Sequence, residues 1–162
     1  MTRIIGIDPG LQKTGYGVID SIGNRLVYVT HGVIKSNSQQ SLAYRLRSLC
    51  EQLSHVIAEN HPDEAAVEET FVNTNPLSTL RLGMARGVVL MVPARYNLVI
   101  GEYSANRVKK AVVGVGHADK AQVAMMVQRL LVGCGKVTDD AADALAIAIC
   151  HAHFRTLLHL AS

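Results

Sequence analysis

Cysteine is scarce in this 162-residue sequence: Cys50, Cys134 and Cys150 are all it has, and no two stand in the CxxC spacing of a zinc or redox site. With no signal peptide at the start, they read as reduced thiols in a cytoplasmic protein, and no structural disulfide is expected. His151, His153 and His159 lie near Cys150, but the spacing fits no familiar structural zinc pattern, so they read as solvated or core histidines. Long apolar runs are missing too. The longest, Val88 to Ala94, contains Pro93 and is far shorter than the roughly 20 residues that cross a bilayer, so a soluble chain with no membrane partner is expected. Charged residues are few, 18% against 49% hydrophobic, the reverse of the composition that keeps a chain disordered. Nor is there a repeat, linker or low-complexity stretch. Residues 1–162 therefore read as a single domain, long enough to bury a continuous core without metal or disulfide support. The formal net charge is only +3, with a sequence pI of about 8.9, which permits a polyanionic partner without demanding one.

What is present is a succession of well-punctuated elements. RIIGIDPG is an aliphatic run halted by Asp-Pro-Gly, the pattern of a buried strand ending in a turn, so Asp8 sits at a strand end. TGYGVID and RLVYVTHGVIK, joined through SIGN, extend it to a meander of three antiparallel strands over residues 3 to 35. From Ser41 to Asn60 apolar residues recur at the three-and-four spacing of an amphipathic helix, with Pro62 beyond its end. DEAAVEETF predicts a brief strand carrying Glu68, Pro76 to Val92 a helix, NLVIGEY a strand and Ala105 to Val112 a short helix. GVGHADK reads as a loop, Ala118 to Leu131 as a helix, and Thr138 onward as a final alanine-rich helix with Asp139 and Asp140 in its first turn. Three antiparallel strands followed by alternating helices and strands make an α/β fold: a mixed sheet of about five strands flanked by helices.

Four acids come from distant segments: Asp8 and Glu68 from strand ends, Asp140 and Asp143 from one helical face, three residues apart. The alanines beside them, Ala141, Ala142 and Ala144, let that helix lie close to a sheet. Clustered carboxylates in a partly dry pocket need protons or divalent cations to neutralise them. Magnesium prefers oxygen ligands, and a pair of such ions can activate water and stabilise the leaving oxygen in phosphodiester cleavage. Plainer readings exist: Asp8 as a turn former, Glu68 and Glu69 as ordinary surface charges, Asp139 or Asp140 as an anion near a helix N-terminus. Strand alternation puts Glu68 and Glu69 on opposite faces and does not say which one faces the site.

Taken in order, GIDPG with TGYGVI, VEETF, LRLGMARG, VKKAVVGVGHADKAQV and DDAADALAIAI resemble the bacterial RuvC Holliday-junction resolvases over about residues 3 to 153. The resemblance implies an RNase H-like fold, a homodimer, symmetrical Mg²⁺-dependent cuts across a four-way DNA junction, with Mn²⁺ as a substitute and two ions per site, and work in recombination and repair alongside a branch-migration motor. It makes Asp8, Glu68 (rather than Glu69), Asp140 and Asp143 the catalytic and metal-binding acids, although some members carry histidine at the third position. Lys109 and Lys120 match family lysines near the scissile phosphate, where a cation would hold the strand or stabilise developing charge. Phe71 matches an aromatic that wedges against bases at the junction centre, a contact that reads branch geometry rather than sequence. Arg81, Arg86, Arg107 and Lys110 are candidates for backbone phosphates, Arg81 first, and Asn73, with Thr74 and Asn75, for a polar loop at the DNA or a helix-capping segment. Gly83, Ala85 and Gly87 in the helix from Pro76 would allow close helix contact, within the fold or across a twofold dimer.

Three other classes compete. GIDPGLQKTGYG also looks like the phosphate hairpin of an actin-like ATPase, but that class needs two such lobes and an adenosine pocket. An RNase H-like nuclease acting on RNA would share the acids, and Phe71, Lys109 and Lys120 favour the junction enzyme over it. The intact set of four acids argues against a binding module that has lost catalysis.

Overall fold

The computed structural model describes residues 1–69 and 74–159. In chain order the elements are β1 (Thr2–Asp8), β2 (Lys13–Ile22), β3 (Arg25–Lys35), α1 (Leu42–Asn60), β4 (Glu64–Glu68), α2 (Pro76–Arg95), β5 (Val99–Tyr103), α3 (Ala105–Val113), α4 (Lys120–Leu130) and α5 (Asp139–His159). They build one five-stranded sheet in the order β3-β2-β1-β4-β5. β1, β2 and β3 are antiparallel neighbours, and β4 and β5 run parallel to β1. This is the mixed α/β sheet that the sequence predicts.

Helices cover both faces, which is why β1 reads as an unbroken aliphatic run rather than an alternating one. Ile5 and Ile7 face a core shared with Leu49, Leu53 and Val89 of α1 and α2, whereas Ile4 packs with Val108, Val127, Leu145 and Ile149 of α3, α4 and α5. α5 lies almost on the strands. A Cβ on Gly6 would fall 2.1 Å from the Ala144 carbonyl oxygen, and one on Gly15 would fall 2.1 Å from that of Asp140. The glycines on β1 and β2 and the alanines of α5 are thus two halves of one close contact, at which any added methyl would collide with backbone.

Two helix boundaries differ from the sequence reading by more than one residue. α2 continues through Pro93 to Arg95, because a proline in the last turn forfeits one hydrogen bond while its carbonyl still accepts from the N–H groups of Tyr96 and Leu98. α4 starts at Lys120 rather than Ala118: the Asp119 side chain accepts from the Gln122 N–H and the Gln122 side chain reaches back, a capping box written as Asp-Lys-Ala-Gln. Asn75 caps α2, accepting from the N–H groups of Leu77 and Ser78, so it serves the capping role rather than a loop role. All three cysteines are free, as expected. α2 also departs from the expectation drawn from uninterrupted apolar runs. An 18-residue window of this 20-residue helix has a mean hydropathy of 1.2, so the helix is long and apolar enough to cross a membrane by length and composition, and most of that window is not buried. Its arginines interrupt the runs without polarising the whole helix.

Candidate active site

β1 and β4 are adjacent and parallel, so both end at the same edge of the sheet. The pairing Ile7 with Val67 sets their last residues, Asp8 and Glu68, side by side. Because Ile5 and Ile7 face α1 and α2, alternation turns Asp8 to the opposite face, where α5 begins. There a cleft of about 290 Å³ is lined by Asp8, Glu68 and Asp143, by Lys109 of α3 and Lys120 of α4, and by the small apolar side chains Ala105, Val108, Val123 and Ala146. Glu69, the other choice left open by alternation, is exposed, and its backbone N–H donates to the Tyr103 carbonyl at 2.8 Å.

Electrostatics ties the acids together more widely than the lining does. Burial, and then the charges of Glu68, Asp143 and Asp140, push the Asp8 carboxyl up to about 7, against a smaller lowering by Lys120. Glu68 is also raised, by burial and then Asp143, and lowered by Lys109 and Lys120. Asp143 is raised by burial, with Lys120 opposing and Asp139 and Asp140 adding. The Lys120 ammonium stands 3.7 Å from the Asp143 carboxylate. Asp140 differs from the expectation that four acids gather at one place: its charge is felt by Asp8 and Asp143, but it does not line the cleft. It sits in the first turn of α5, where the helix is pressed onto Gly15 of β2. Among the described residues no three acidic, histidine or cysteine side chains stand in metal-coordinating geometry. Like charges that repel across a cleft spread along its walls rather than converge on a point.

The family described as crossover junction endodeoxyribonuclease RuvC matches residues 4–151. The chain belongs to the RuvC family. It is 60% identical over 153 residues to the crossover junction endodeoxyribonuclease RuvC of Paramagnetospirillum magneticum, covering 94% of this chain and 92% of that protein. It is 54% identical to the Rhizobium etli RuvC, covering 94% and 90%. The Thermus thermophilus RuvC solved in complex with a Holliday junction substrate superposes with a TM-score of 0.89 at 30% identity, over 97% of this chain and 96% of that one. The fold is therefore the RNase H-like fold of RuvC, and the family's nuclease chemistry is metal-dependent.

The other residues singled out in the sequence have several fates. Phe71 and Asn73 lie outside the described residues. Arg81 is exposed and makes no ion pair among the described residues. Arg86 pairs with Glu102, tying α2 to β5, and its Nε is buried without a hydrogen-bond partner among the described residues. Arg107 lies over the rings of Phe154, at 4.3 Å, and Tyr103, at 5.7 Å. Lys110 is exposed on α3.

Sequence reasoning missed a polar cluster at the other end of α5. His151, wholly buried, bonds Glu64 at 2.8 Å through Nε2 and Tyr103 at 2.8 Å through Nδ1. Arg155 grips both Glu64 oxygens and donates to Thr2. Glu64 occupies the first position of β4, and nothing in the sequence marks that carboxylate as buried. Gly101 is the one available hint, since a Cβ there would fall 2.5 Å from His151 Nδ1.

Proposed function

We infer that this protein cuts four-way DNA junctions by phosphodiester hydrolysis at the cleft between β1, β4 and α5. The observation that carries the reading is the meeting of Asp8, Glu68 and Asp143, from three separate elements, between Lys109 and Lys120. Membership of a family of junction endonucleases supplies the substrate class, and the related Thermus protein is described with a Holliday junction substrate.

The acids fit a hard divalent cation. They offer only oxygen ligands, and burial with mutual repulsion raises all three in a way that a cation would relieve. Asp8, Glu68 and Asp143 would hold it, with Asp140 at the margin. When bound, Mg²⁺ or Mn²⁺, as a pair of ions, supplies an activated water and stabilises the leaving oxygen. The chain's own part is to place the strand. Lys109 and Lys120 hold the phosphate flanking the acids, and the apolar wall of Val108, Val123 and Ala146 limits water. Arg81 is the arginine assigned to backbone phosphates. Arg86 is reassigned to the α2 to β5 tie, since its guanidinium already has Glu102. Phe71 and Asn73 are retained as junction contacts on resemblance alone, as is a branch-migration motor as partner. Free cysteines and a DNA substrate suit a cytoplasmic site of action.

A second copy of the chain is proposed to cover α2. Leu77, Leu80, Met84 and Met91 recur at helical spacing and are each between 37% and 56% exposed. Gly83 and Gly87 beside them have open space above, whereas Ala85 is spent on the internal core. Two sites related by a twofold axis match the twofold symmetry of the substrate.

The deciding experiment offers the protein a four-way junction, a linear duplex and single-stranded RNA, with and without Mg²⁺. Paired nicks in the junction alone, dependent on metal, are expected; equal cutting of linear duplex would refute structure selectivity, and cutting of RNA would favour the RNA-nuclease reading.

A further inference from the structure

The geometry points to a second phosphate-binding surface, formed by Lys13, Lys35 and Arg45, that holds DNA on the β2 and β3 side of the catalytic cleft. It rests on the nuclease reading of the cleft and adds contacts that none of the residues above provide.

Lys13 and Lys35 are directly paired across β2 and β3. Both are exposed, and neither makes an ion pair among the described residues. Like charges placed opposite each other on a sheet repel, so the arrangement costs stability unless a polyanion covers it. Its position decides which polyanion. Gly15 is paired with Asp8, and Lys13 lies two residues before Gly15 on the same strand, hence on the same face of the sheet as Asp8. By strand geometry Lys13 is about 7 Å beyond the level of Asp8 and one strand over, and Lys35 about 5 Å further. Both therefore lie at the sheet edge and on the face where the cleft opens, across Asp8 from Lys109 and Lys120.

The support beneath them is rigid. The Ser36 N–H donates to the Gln12 carbonyl at 3.2 Å, and its hydroxyl donates to the Leu11 carbonyl. Arg45 Nε in turn donates to the Ser36 hydroxyl at 3.0 Å, which sets this half-buried guanidinium against the residue that follows Lys35. A nuclease whose cleft gathers negative charge repels its own substrate, and Lys109 and Lys120 offset this on one side only. Cations on the opposite side hold the strand down on both flanks, so that the phosphate over Asp8 and Glu68 cannot swing away.

The test compares the full-length protein with the Lys13→Ala, Lys35→Ala double variant. Junction binding is measured by fluorescence anisotropy without metal, at salt concentrations from 50 to 200 mM. Two lost phosphate contacts should flatten the slope of log K against log salt by about 1 to 2 and weaken binding roughly tenfold, equally for junctions of different sequence. Turnover on saturating junction should fall as well, because the phosphate over the acids is then held on one flank only, and the Tm should be equal or higher because the lysine repulsion is gone. The Lys13→Arg, Lys35→Arg variant should bind as wild type. An unchanged salt slope would overturn the surface. So would a fall in turnover with the slope intact, which would mean that the lysines balance the acids of α5 instead. Failure of the wild type itself to prefer a junction would take down the nuclease reading with it, and is read in the same experiment.

Discussion

At the scale of single residues, Asp8 carries the largest consequences. Its carboxyl titrates near 7 when folded, against 3.8 ordinarily, because burial and three neighbouring acids disfavour its charge. The folded state then holds its proton more tightly than the unfolded chain, so stability from this group is greatest below about pH 4 and is lost as pH rises towards 7. Asp8→Asn removes that penalty. Without metal, the variant should gain about 2 kcal/mol at pH 8, after allowance for partial solvent screening, and almost nothing at pH 4; urea denaturation at the two values checks the sign, and a larger gain at pH 4 would contradict it. The same variant should lose at least about 10³-fold in turnover while binding the junction as before. Divalent metal must displace the Asp8 proton below pH 7, so metal affinity should climb by up to about tenfold per pH unit from 5 to 7 and level off above, as measured by calorimetric titration. Asp8 and Glu68 are legible in sequence because each stands at a strand end, and Asp143 because it follows Asp140 by three residues on one helical face. The choice between Glu68 and Glu69 was not legible from a period of two, which separates faces without naming them. Only the pairing of β4 with β1, a contact between distant segments, settles it.

At the scale of elements, α5 is the part that converts the sheet into a site. It brings Asp143 to the strand ends because Gly6 and Gly15 let its backbone come within contact distance. A methyl at Gly15, the partner of Asp8 on β2, would strike the Asp140 carbonyl, so Gly15→Ala should push the first turn of α5 outward, cost about 1–3 kcal/mol, and lower turnover more than Gly6→Ala, whose clash at Ala144 and Ala148 falls further along the helix. Equal effects of the two variants on turnover would show that α5 shifts as a unit. The far end of the helix is pinned differently, by the Glu64 carboxylate shared between His151 and Arg155. Glu64→Ala removes the acceptor that both use, and breaking one partner of a buried charged cluster costs about 3–5 kcal/mol; a denaturation midpoint close to wild type would refute that role. Element order and type were readable because strands and helices here differ cleanly in period and punctuation. The polar pin was not, since Glu64 is 87 residues from His151 and 91 from Arg155, and burial of a lone Glu is invisible without the sheet that buries it.

At the scale of the whole molecule, the exposed apolar side of α2 is the surface proposed to bring two chains together. A single cleft can make one cut. Resolving a four-way junction needs two, in strands related by a twofold axis, and two independent monomers would leave the second cut to chance encounter. The proposed dimer through α2 would join the cuts by holding both clefts on one substrate. Its face suits close approach, with Gly83 and Gly87 open beside a row of leucine and methionine side chains, and a stable contact of this kind buries roughly 800 Å² per partner. Introducing a charge at its centre, Met84→Glu, would place two like charges against each other across the twofold axis. That variant should sediment as a monomer at micromolar concentration, keep its Tm within a few degrees because Met84 is not part of the buried core, and release singly nicked junctions in place of resolved products. Sedimentation as a dimer with paired nicking intact would remove α2 as the interface and leave its apolar length to be tested against lipid vesicles.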